Sequence, residues 1–348
     1  MTQVVDAPGR RPDGTEARLL EVDDLSVEFR TPDGVVNAVN GLSWHLDRGE
    51  SLAVLGESGS GKSVSAQAIM GILDVPPAKI TSGRLLFEGD DLLTMDGGDR
   101  RRLRGERIAM IFQDALSALN PVYTVGWQIA EMFRVHRGTG RKEAKARAVE
   151  LMDRVGIPNA RSRVDDYPHQ FSGGMRQRVM IAMAIALDPD VLIADEPTTA
   201  LDVTVQAQVM QLLADLQAET GMGLVLITHD LGVVAEVADR VVVMYAGRAV
   251  ETGPLAEVFM SPAHPYSRGL MRSIPRVDAK GGRLDPIQGQ PPDLRRIPSG
   301  CPFHPRCRWV EDVCRHEEPE LLVIGEQRSR CHLREDVHAA GNPLEVHR

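Results

Sequence analysis

The chain has 348 residues, enough for a large core, and its 43% hydrophobic and 26% charged residues are typical of a globular protein in water. Its 40 basic and 49 acidic residues give a formal net charge of -9, which disfavours nucleic acid as a partner. No apolar run reaches the roughly 18 residues of a membrane span, and residues 1–18 lack the apolar core of a signal peptide. We therefore expect a disordered leader and a protein that stays in the cytoplasm unless another chain holds it at a membrane.

Two strands joined by a turn are predicted at the start of the folded part. Residues 19–29 alternate between apolar and polar, residues 31–34 (TPDG) form a turn, and a second strand follows. Phe29 ends the first strand. It is either a core residue or an aromatic platform on which an adenine ring stacks.

The next stretch, GESGSGKS at residues 56–63, fits the phosphate-binding-loop pattern of Gly, four residues, Gly, Lys, then Ser or Thr. An apolar run at 51–55 predicts a buried strand before it, and the residues from Lys62 on predict a helix after it. Its glycines let backbone N–H groups approach a polyphosphate at a helix N-terminus, Lys62 can reach the β and γ phosphates, and Ser63 can ligate Mg²⁺. The predicted ligands of a nucleoside triphosphate are Gly56, Ser58, Gly59, Ser60, Gly61, Lys62 and Ser63.

Beyond this loop, a hairpin is predicted over residues 83–93 and a strand over 107–112, which ends at Gln113. A single Gln at a strand end is usually a surface residue. From about residue 124 to 170 the apolar residues recur at helical spacing, which indicates a helical insert between strands.

Ser172, Gly173 and Gly174 directly precede another predicted helix. Ser172 is a suitable helix cap. Two glycines in succession, however, leave bare N–H groups at a helix N-terminus, which favours a second anion-binding site.

Two acids, Asp195 and Glu196, follow the short apolar strand predicted at 191–195. Carboxylates at the edge of a core are costly unless a positive charge is near. Beside a magnesium nucleotide, Asp195 would hold the metal and Glu196 would polarise the attacking water. Asp202 is predicted to cap the next helix. His229 ends the strand predicted at 224–228, where ligands of α/β sheets gather, so a structural and a catalytic role both remain open.

All four cysteines, Cys301, Cys307, Cys314 and Cys331, lie behind a Gly/Pro-rich linker at residues 261–300. We expect residues 301–348 to be a separate small extension, too small to be stable without a cross-link such as a disulfide or a bound metal. A disulfide is disfavoured in a reducing cytoplasm, whereas four thiolates suit Zn²⁺ or an iron–sulfur cluster. The wide spacing favours the cluster. His304 or His332 could complete a zinc site, and free thiols are the remaining alternative.

The order of these motifs resembles that of ATP-binding cassette (ABC) proteins over about residues 19–253. The resemblance implies a mixed α/β P-loop core with an antiparallel β subdomain and a helical insert, a nucleotide-binding domain over residues 19–260, and a small Cys-rich extension. It also implies a head-to-tail pair of cassettes, with ATP between one chain's phosphate loop and the SGG motif at residues 172–174 of the other. Met175 departs slightly, since many members have Gln there.

The same resemblance implies a role for each residue whose position was ambiguous. Phe29 stacks on adenine, Gln113 senses Mg²⁺ and contacts a membrane partner, Glu196 is the catalytic base, Asp202 communicates across the dimer as part of an Ala200–Asp202 loop, and His229 is the γ-phosphate switch.

Three further segments, FQDALSALNP, HPYSRGLM and the cysteine tail, resemble the ATPase subunits of oligopeptide, dipeptide and nickel importers. Such a subunit hydrolyses ATP to drive import of peptides or related solutes through two separate transmembrane permease subunits. Its partners are a second ATPase subunit, identical or related, and, indirectly, an extracytoplasmic substrate-binding protein, and it lies at the cytoplasmic face of the membrane. The resembling subunits carry a [4Fe–4S] cluster at this cysteine pattern. A soluble ABC ATPase acting on a cytoplasmic partner and an exporter ATPase are the alternative functions.

Overall fold

The computed structural model describes residues 18–199, 201–273 and 286–343, with Leu116 described by its backbone alone. Four of the sequence-based expectations fall wholly or partly outside the described residues. They are the leader up to residue 17, Ala200, part of the linker (274–285) and the last five residues of the extension.

The described residues form twelve strands and thirteen α-helices. The strands are β1 (Leu20–Thr31), β2 (Gly34–Leu46), β3 (Ser51–Leu55), β4 (Ala78–Phe87), β5 (Asp90–Asp91), β6 (Ile108–Ile111), β7 (Val191–Asp195), β8 (Gly223–Thr228), β9 (Arg240–Tyr245), β10 (Arg248–Pro254), β11 (Leu322–Ile324) and β12 (Gln327–Ser329). The helices are α1 (Lys62–Met70), α2 (Gly97–Glu106), α3 (Ala115–Ala118), α4 (Val125–His136), α5 (Arg141–Arg154), α6 (Ala160–Arg163), α7 (Gly173–Ala184), α8 (Val203–Thr220), α9 (Leu231–Val237), α10 (Leu255–Met260), α11 (Pro265–Arg272), α12 (Val313–His316) and α13 (Arg334–Ala339). None of these helices is both long and apolar enough to cross a membrane.

The described residues divide into two compact units, and the first comprises residues 18–20, 45–50, 86–199 and 201–227. Within it, β6, β7 and β8 lie side by side in that order and run parallel. Each strand is buried throughout, as expected of parallel strands that are covered on both faces. The predicted helical insert is present as α4, α5 and α6, and α4 packs against α5 and α7.

The second unit comprises residues 21–44, 51–85, 228–273 and 286–343. Here β3 pairs in parallel with β9, and β10 pairs antiparallel with β9. Strands β2, β1 and β4 form a second sheet in that order. The predicted strand at 51–55 and the predicted helix from Lys62 are confirmed as β3 and α1. Helix α1 stops at Met70 because Gly71, at φ 62°, ends it in the left-handed conformation.

The cysteine tail belongs to the second unit and is not a separate extension within it. Strand β12 pairs antiparallel with β10, where Glu251 lies opposite Ser329, and β11 pairs with β12. The expectation of a detached module came from the Gly/Pro-rich linker. Two strands of three residues each are too short to give a periodic signal in sequence, so their pairing with β10 was not predicted.

A buried carboxyl group anchors the helical segment after β10. Glu251 is completely buried, and its two oxygens accept hydrogen bonds from the backbone N–H groups of Ala263 (2.5 Å) and His264 (3.1 Å). Burial raises the pKa of Glu251 to about 8, so the folded protein holds this carboxyl protonated at neutral pH. Burial also lowers the pKa of the neighbouring His264 to about 3, and its ring stays neutral.

We predict that Glu251→Gln reduces the loss of stability that accompanies rising pH. Because the carboxyl ionises near pH 4.5 when unfolded and near 8 when folded, its contribution is fully present below pH 4.5 and declines as the pH rises to about 8. The decline is at most about 1.4 kcal/mol per pH unit, and a glutamine removes it.

The measurement is urea unfolding of both proteins between pH 5 and 8.5. His264 is present in both and cancels in the difference. If the free energy of unfolding changed with pH equally in both proteins, the raised pKa of Glu251 in the folded protein would be contradicted.

Candidate functional site

The phosphate-binding loop joins β3 to α1 in the second unit, as predicted. Among the described residues, no side chain caps the first turn of α1, whose N-cap is Gly61. A helix N-terminus without a capping side chain is a position that favours an anion. The hydroxyl of Ser60 is also buried without a hydrogen-bond partner among the described residues, which fits a loop built around a polar ligand.

Two glycines of this loop cannot be replaced by a residue with a side chain. Gly56 has φ 152° and Gly61 has φ 100°, both on the left-handed side that favours glycine. A Cβ atom at Gly56 would lie 2.3 Å from the carbonyl oxygen of Met244, and one at Gly61 would lie 2.2 Å from that of Ala38. The loop therefore packs directly on neighbouring backbone.

Lys62 is 4% exposed and folds back on the loop. Its Nζ donates to the carbonyl oxygens of Gly56 (2.7 Å) and Glu57 (3.0 Å). The ammonium group is thus held at the centre of the loop, where a phosphate can replace these carbonyls as its acceptor. Ser63 follows it in the first turn of α1 and is half-buried, and its role as a Mg²⁺ ligand stays a prediction.

Of the three predicted polar residues of the first unit, Gln113 and Glu196 are hydrogen-bonded to each other, and Asp195 directly precedes Glu196 in the chain. Asp195 ends β7 and is 4% exposed, and Glu196 follows it with φ 46°, an uncommon conformation for a residue with a side chain. Gln113 Nε2 donates to Glu196 Oε2 at 2.8 Å, and Thr199 Oγ1 donates to the same oxygen at 2.9 Å. Sequence alone could not place Gln113; the structure brings it onto the carboxylate.

The predicted second anion site lies at the start of α7 in the same unit. Ser172 and Gly173 are exposed, and Ser172 Oγ accepts the N–H of Met175 at 3.4 Å, so it is a helix cap as well. Gly174 leaves room for Val205, whose Cγ1 would lie 2.5 Å from a Cβ there. Asp202 is exposed and caps α8, accepting the N–H of Val205 at 3.0 Å.

Phe29 and His229, the remaining predicted nucleotide contacts, belong to the second unit. Phe29 lies in β1 and is only half-buried, so it is not simply a core residue. His229 follows β8 and is exposed, which is compatible with a ligand contact. Their roles stay predictions.

The four cysteines line one cavity, together with His304 and Trp309 among others. None forms a disulfide, so the disfavoured disulfide alternative is absent from the described tail. Burial raises the pKa of the Cys301 thiol, and raises those of Cys307 and Cys331 to about 11 and 12. Without a metal, these thiols are protonated at neutral pH.

The geometry around the four cysteines bears on whether they hold a metal ion. Across residues 18–199, 201–273 and 286–343, no group of three or more His, Cys, Asp or Glu side chains is arranged to hold a metal ion. His304 and His332 each direct a ring nitrogen to a backbone carbonyl oxygen, of Cys301 (3.0 Å) and Glu317 (2.9 Å) respectively. The structure therefore brings the four thiols together but does not support the expected [4Fe–4S] cluster or a zinc site.

Sequence reasoning missed a set of residues that contact the phosphate loop from the C-terminal part of the second unit. Tyr245, Tyr266 and Phe303 form an aromatic group with ring centroids 4.7–5.4 Å apart, and Arg306 reaches Glu57 of the loop. The only signal in the sequence is rarity, because the whole chain has four tyrosines and seven phenylalanines.

Two family models match the chain. Residues 39–199 match the ABC transporter model, and residues 250–314 match the model of the oligopeptide/dipeptide transporter C-terminal region. Three curated relatives match most of its length. The dipeptide transport ATP-binding protein DppD of Haemophilus influenzae is 50% identical, over 94% of this chain and 98% of its own. The dipeptide transport ATP-binding protein DppD of Bacillus subtilis is 52% identical, over 88% and 91%. The oligopeptide transport ATP-binding protein OppD of Bacillus subtilis is 50% identical, over 89% and 87%.

Solved structures share the fold. A dimeric ATP-binding cassette in a post-hydrolysis state with ADP and Pi superposes with a TM-score of 0.61 at 27% identity, covering 68% of this chain and 98% of its own. The cbiO1 protein of Clostridium perfringens, part of an ABC transporter complex, gives 0.59 at 32% identity, covering 70% and 91%. The expected P-loop cassette fold is confirmed. With half of its residues identical to those of a transport ATP-binding protein over 94% of its length, the chain belongs to the ABC transporter family of ATP-binding proteins.

Proposed function

We propose that this chain is the ATP-hydrolysing subunit of an importer of dipeptides, oligopeptides or related solutes. The observation that carries the proposal is the 50% identity to a dipeptide transport ATP-binding protein over 94% of the chain. The match of residues 250–314 to a C-terminal region named for oligopeptide and dipeptide transporters favours this function over an exporter or a soluble ATPase.

The phosphate loop would bind the nucleotide through its backbone. Gly56, Ser58, Gly59, Ser60 and Gly61 supply N–H groups to the β and γ phosphates. Lys62 exchanges its two carbonyl acceptors for phosphate oxygens, and Ser63 and Asp195 hold Mg²⁺. Phe29 stacks on the adenine.

Hydrolysis is assigned to the polar group after β7. Glu196 polarises the attacking water as general base, and His229 contacts the γ-phosphate. In the arrangement described here, Gln113 and Thr199 both donate to Glu196 Oε2. Gln113 would also be a ligand of bound Mg²⁺, so its hydrogen bond to Glu196 would depend on whether the metal is bound, whereas that of Thr199 would not.

Two cassettes, identical or related, would close around ATP. The exposed Ser172, with Gly173 and Gly174, offers the amides at the start of α7 to the phosphates bound by the other chain. Asp202, also exposed, contributes to the contact across the dimer.

Closure would act on two transmembrane permease subunits near the segment after Gln113, with an extracytoplasmic substrate-binding protein delivering the solute. Large apolar side chains are exposed in this part of the first unit, including Phe112 (41%) and Val122 (70%). Tyr123, 42% exposed, stacks on Trp127 with 4.1 Å between the ring centroids. Such a surface suits a protein partner, and the chain would lie peripherally at the cytoplasmic face of the membrane.

For the cysteine tail, we propose a [4Fe–4S] cluster rather than Zn²⁺. What supports it is the donor set, since all four cysteines line one cavity and four thiolates suit such a cluster. The sulfur atoms would have to move onto the metal and lose their protons, because the described residues form no ready metal site. When bound, such a cluster would brace the tail.

We expect Glu196→Gln to keep ATP binding and to lose turnover by roughly 10²–10⁴-fold, because the amide cannot accept the proton of the attacking water. Steady-state ATPase assays and ATP-dependent dimer formation by size-exclusion chromatography measure the two effects.

Glu143→Gln on α5, which removes a 64% exposed carboxylate at the surface, is the matched control and should leave both values unchanged. Normal turnover by Glu196→Gln would refute its role as general base.

We expect anaerobically purified protein to contain about four irons and four sulfides per chain and to absorb near 400 nm, as a cubane with four cysteine ligands requires. Cys301→Ser should lose them. Metal and sulfide analysis of both proteins decides the matter, and one zinc without iron, or no metal, would overturn the cluster.

A further inference from the structure

One residue of the phosphate loop is held at three points by its surroundings in the second unit. The N–H of Glu57 donates to the hydroxyl of Tyr266 at 2.8 Å, and its carbonyl oxygen accepts from Lys62 Nζ at 3.0 Å. Its carboxylate forms a two-pronged pair with Arg306, in which Nη1 donates to Oε2 at 2.6 Å and Nη2 to Oε1 at 2.9 Å. Both carboxylate oxygens are therefore engaged by one guanidinium group.

Arg306 is built into its position. Its side chain is 5% exposed, and Nε donates to the carbonyl oxygen of Gln288 at 3.0 Å. Nη2 also lies 3.3 Å from the carbonyl oxygen of Gly289, and the guanidinium carbon lies 5.8 Å from the ring centre of Tyr245. A planar guanidinium with this many fixed acceptors holds its partner in one geometry, which a lysine could not do.

The charge of Glu57 matters because of where it lies. Glu57 is the second residue of a loop that binds a polyphosphate, and Glu57 and Ser58–Ser60 line one cavity with Pro291, Pro292 and Leu294. An unpaired carboxylate there would repel the phosphates, and at 28% exposure water would screen it only partly. Arg306 neutralises this charge and fixes the first turn of the loop.

We propose that Arg306 is a positioning residue for ATP binding, through which the cysteine tail sets the affinity of the phosphate loop for nucleotide. Cys301 and Cys307 flank the segment that carries it, so the fold of the tail and the position of the guanidinium are linked. The inference rests on the proposed ATPase function and adds to it a residue 249 positions away from the loop it supports.

The experiment compares ATP affinity and steady-state turnover of the full-length chain carrying Arg306→Gln, Glu57→Gln or both. Arg306→Gln should raise the Kd and KM for ATP about tenfold, with a smaller effect on kcat, because it leaves the carboxylate unpaired beside the phosphates. Glu57→Gln should change the affinity by no more than about threefold, because it removes the repelling charge as well. The double variant should resemble Glu57→Gln. This rescue separates positioning from a merely structural role, in which the double variant would be as impaired as Arg306→Gln.

Arg295→Gln is the matched control, since Arg295 pairs with Asp293 two residues away and does not reach the loop, and its ATP affinity should be unchanged. If Arg306→Gln yields no folded protein, Arg306→Lys decides, with an expected rise in Kd smaller than tenfold. If the folded Arg306 variant bound ATP as tightly as the wild type, the role of Arg306 would be overturned while the proposed ATPase function would stand. A wild-type chain that binds no ATP would overturn the proposed function and this inference with it.

Discussion

The phosphate loop depends on one steric constraint, the contact between its backbone and the backbone of distant segments. Gly56 approaches the carbonyl of Met244 and Gly61 that of Ala38 so closely that no Cβ atom fits at either position. The shape of the loop therefore depends on the backbone of β9, which contains Met244, and of β2, which contains Ala38. This explains why a site made of eight consecutive residues still requires a folded second unit. The carbonyls that Lys62 contacts then mark the positions from which bound phosphate would displace it.

In the first unit, the carboxylate of Glu196 is held in place by hydrogen bonds from two side chains. Asp195 ends a strand that is buried throughout, and Glu196, which is half-buried, follows it with a positive φ. A buried carboxylate and a strained backbone are each costly unless function retains them. Gln113 and Thr199 reduce that cost by donating to Glu196. The same two hydrogen bonds hold the Glu196 carboxylate in one orientation.

The structural roles of residues in short local motifs could be predicted from the sequence. Contacts between residues far apart in the sequence could not. The phosphate loop, the strand before it, the helix after it and the caps Ser172 and Asp202 each depend on a few adjacent residues, and the structure contains all of them. Gln113 could be placed only through the resemblance, because a Gln at a strand end has no pattern of its own. The pair of Arg306 with Glu57 and the pairing of β12 with β10 join residues far apart, and no periodicity encodes such partners. The shared cavity of the four cysteines also follows from the fold, and their spacing did not determine what they bind.

The pairing of β12 with β10 also has a consequence for where the chain can be cut. Strand β10 would be left with a row of unpaired N–H and C=O groups if the residues after 260 were removed, among them the carbonyl of Val250, which accepts the N–H of Arg330 at 2.8 Å. An open strand of this kind is a template for association with other chains. In the full chain, β12 pairs with β10 and β11 pairs with β12, so the sheet ends in an edge strand of only three residues. A cassette that ends before residue 330 would therefore expose the edge of β10 that β12 covers in the full chain.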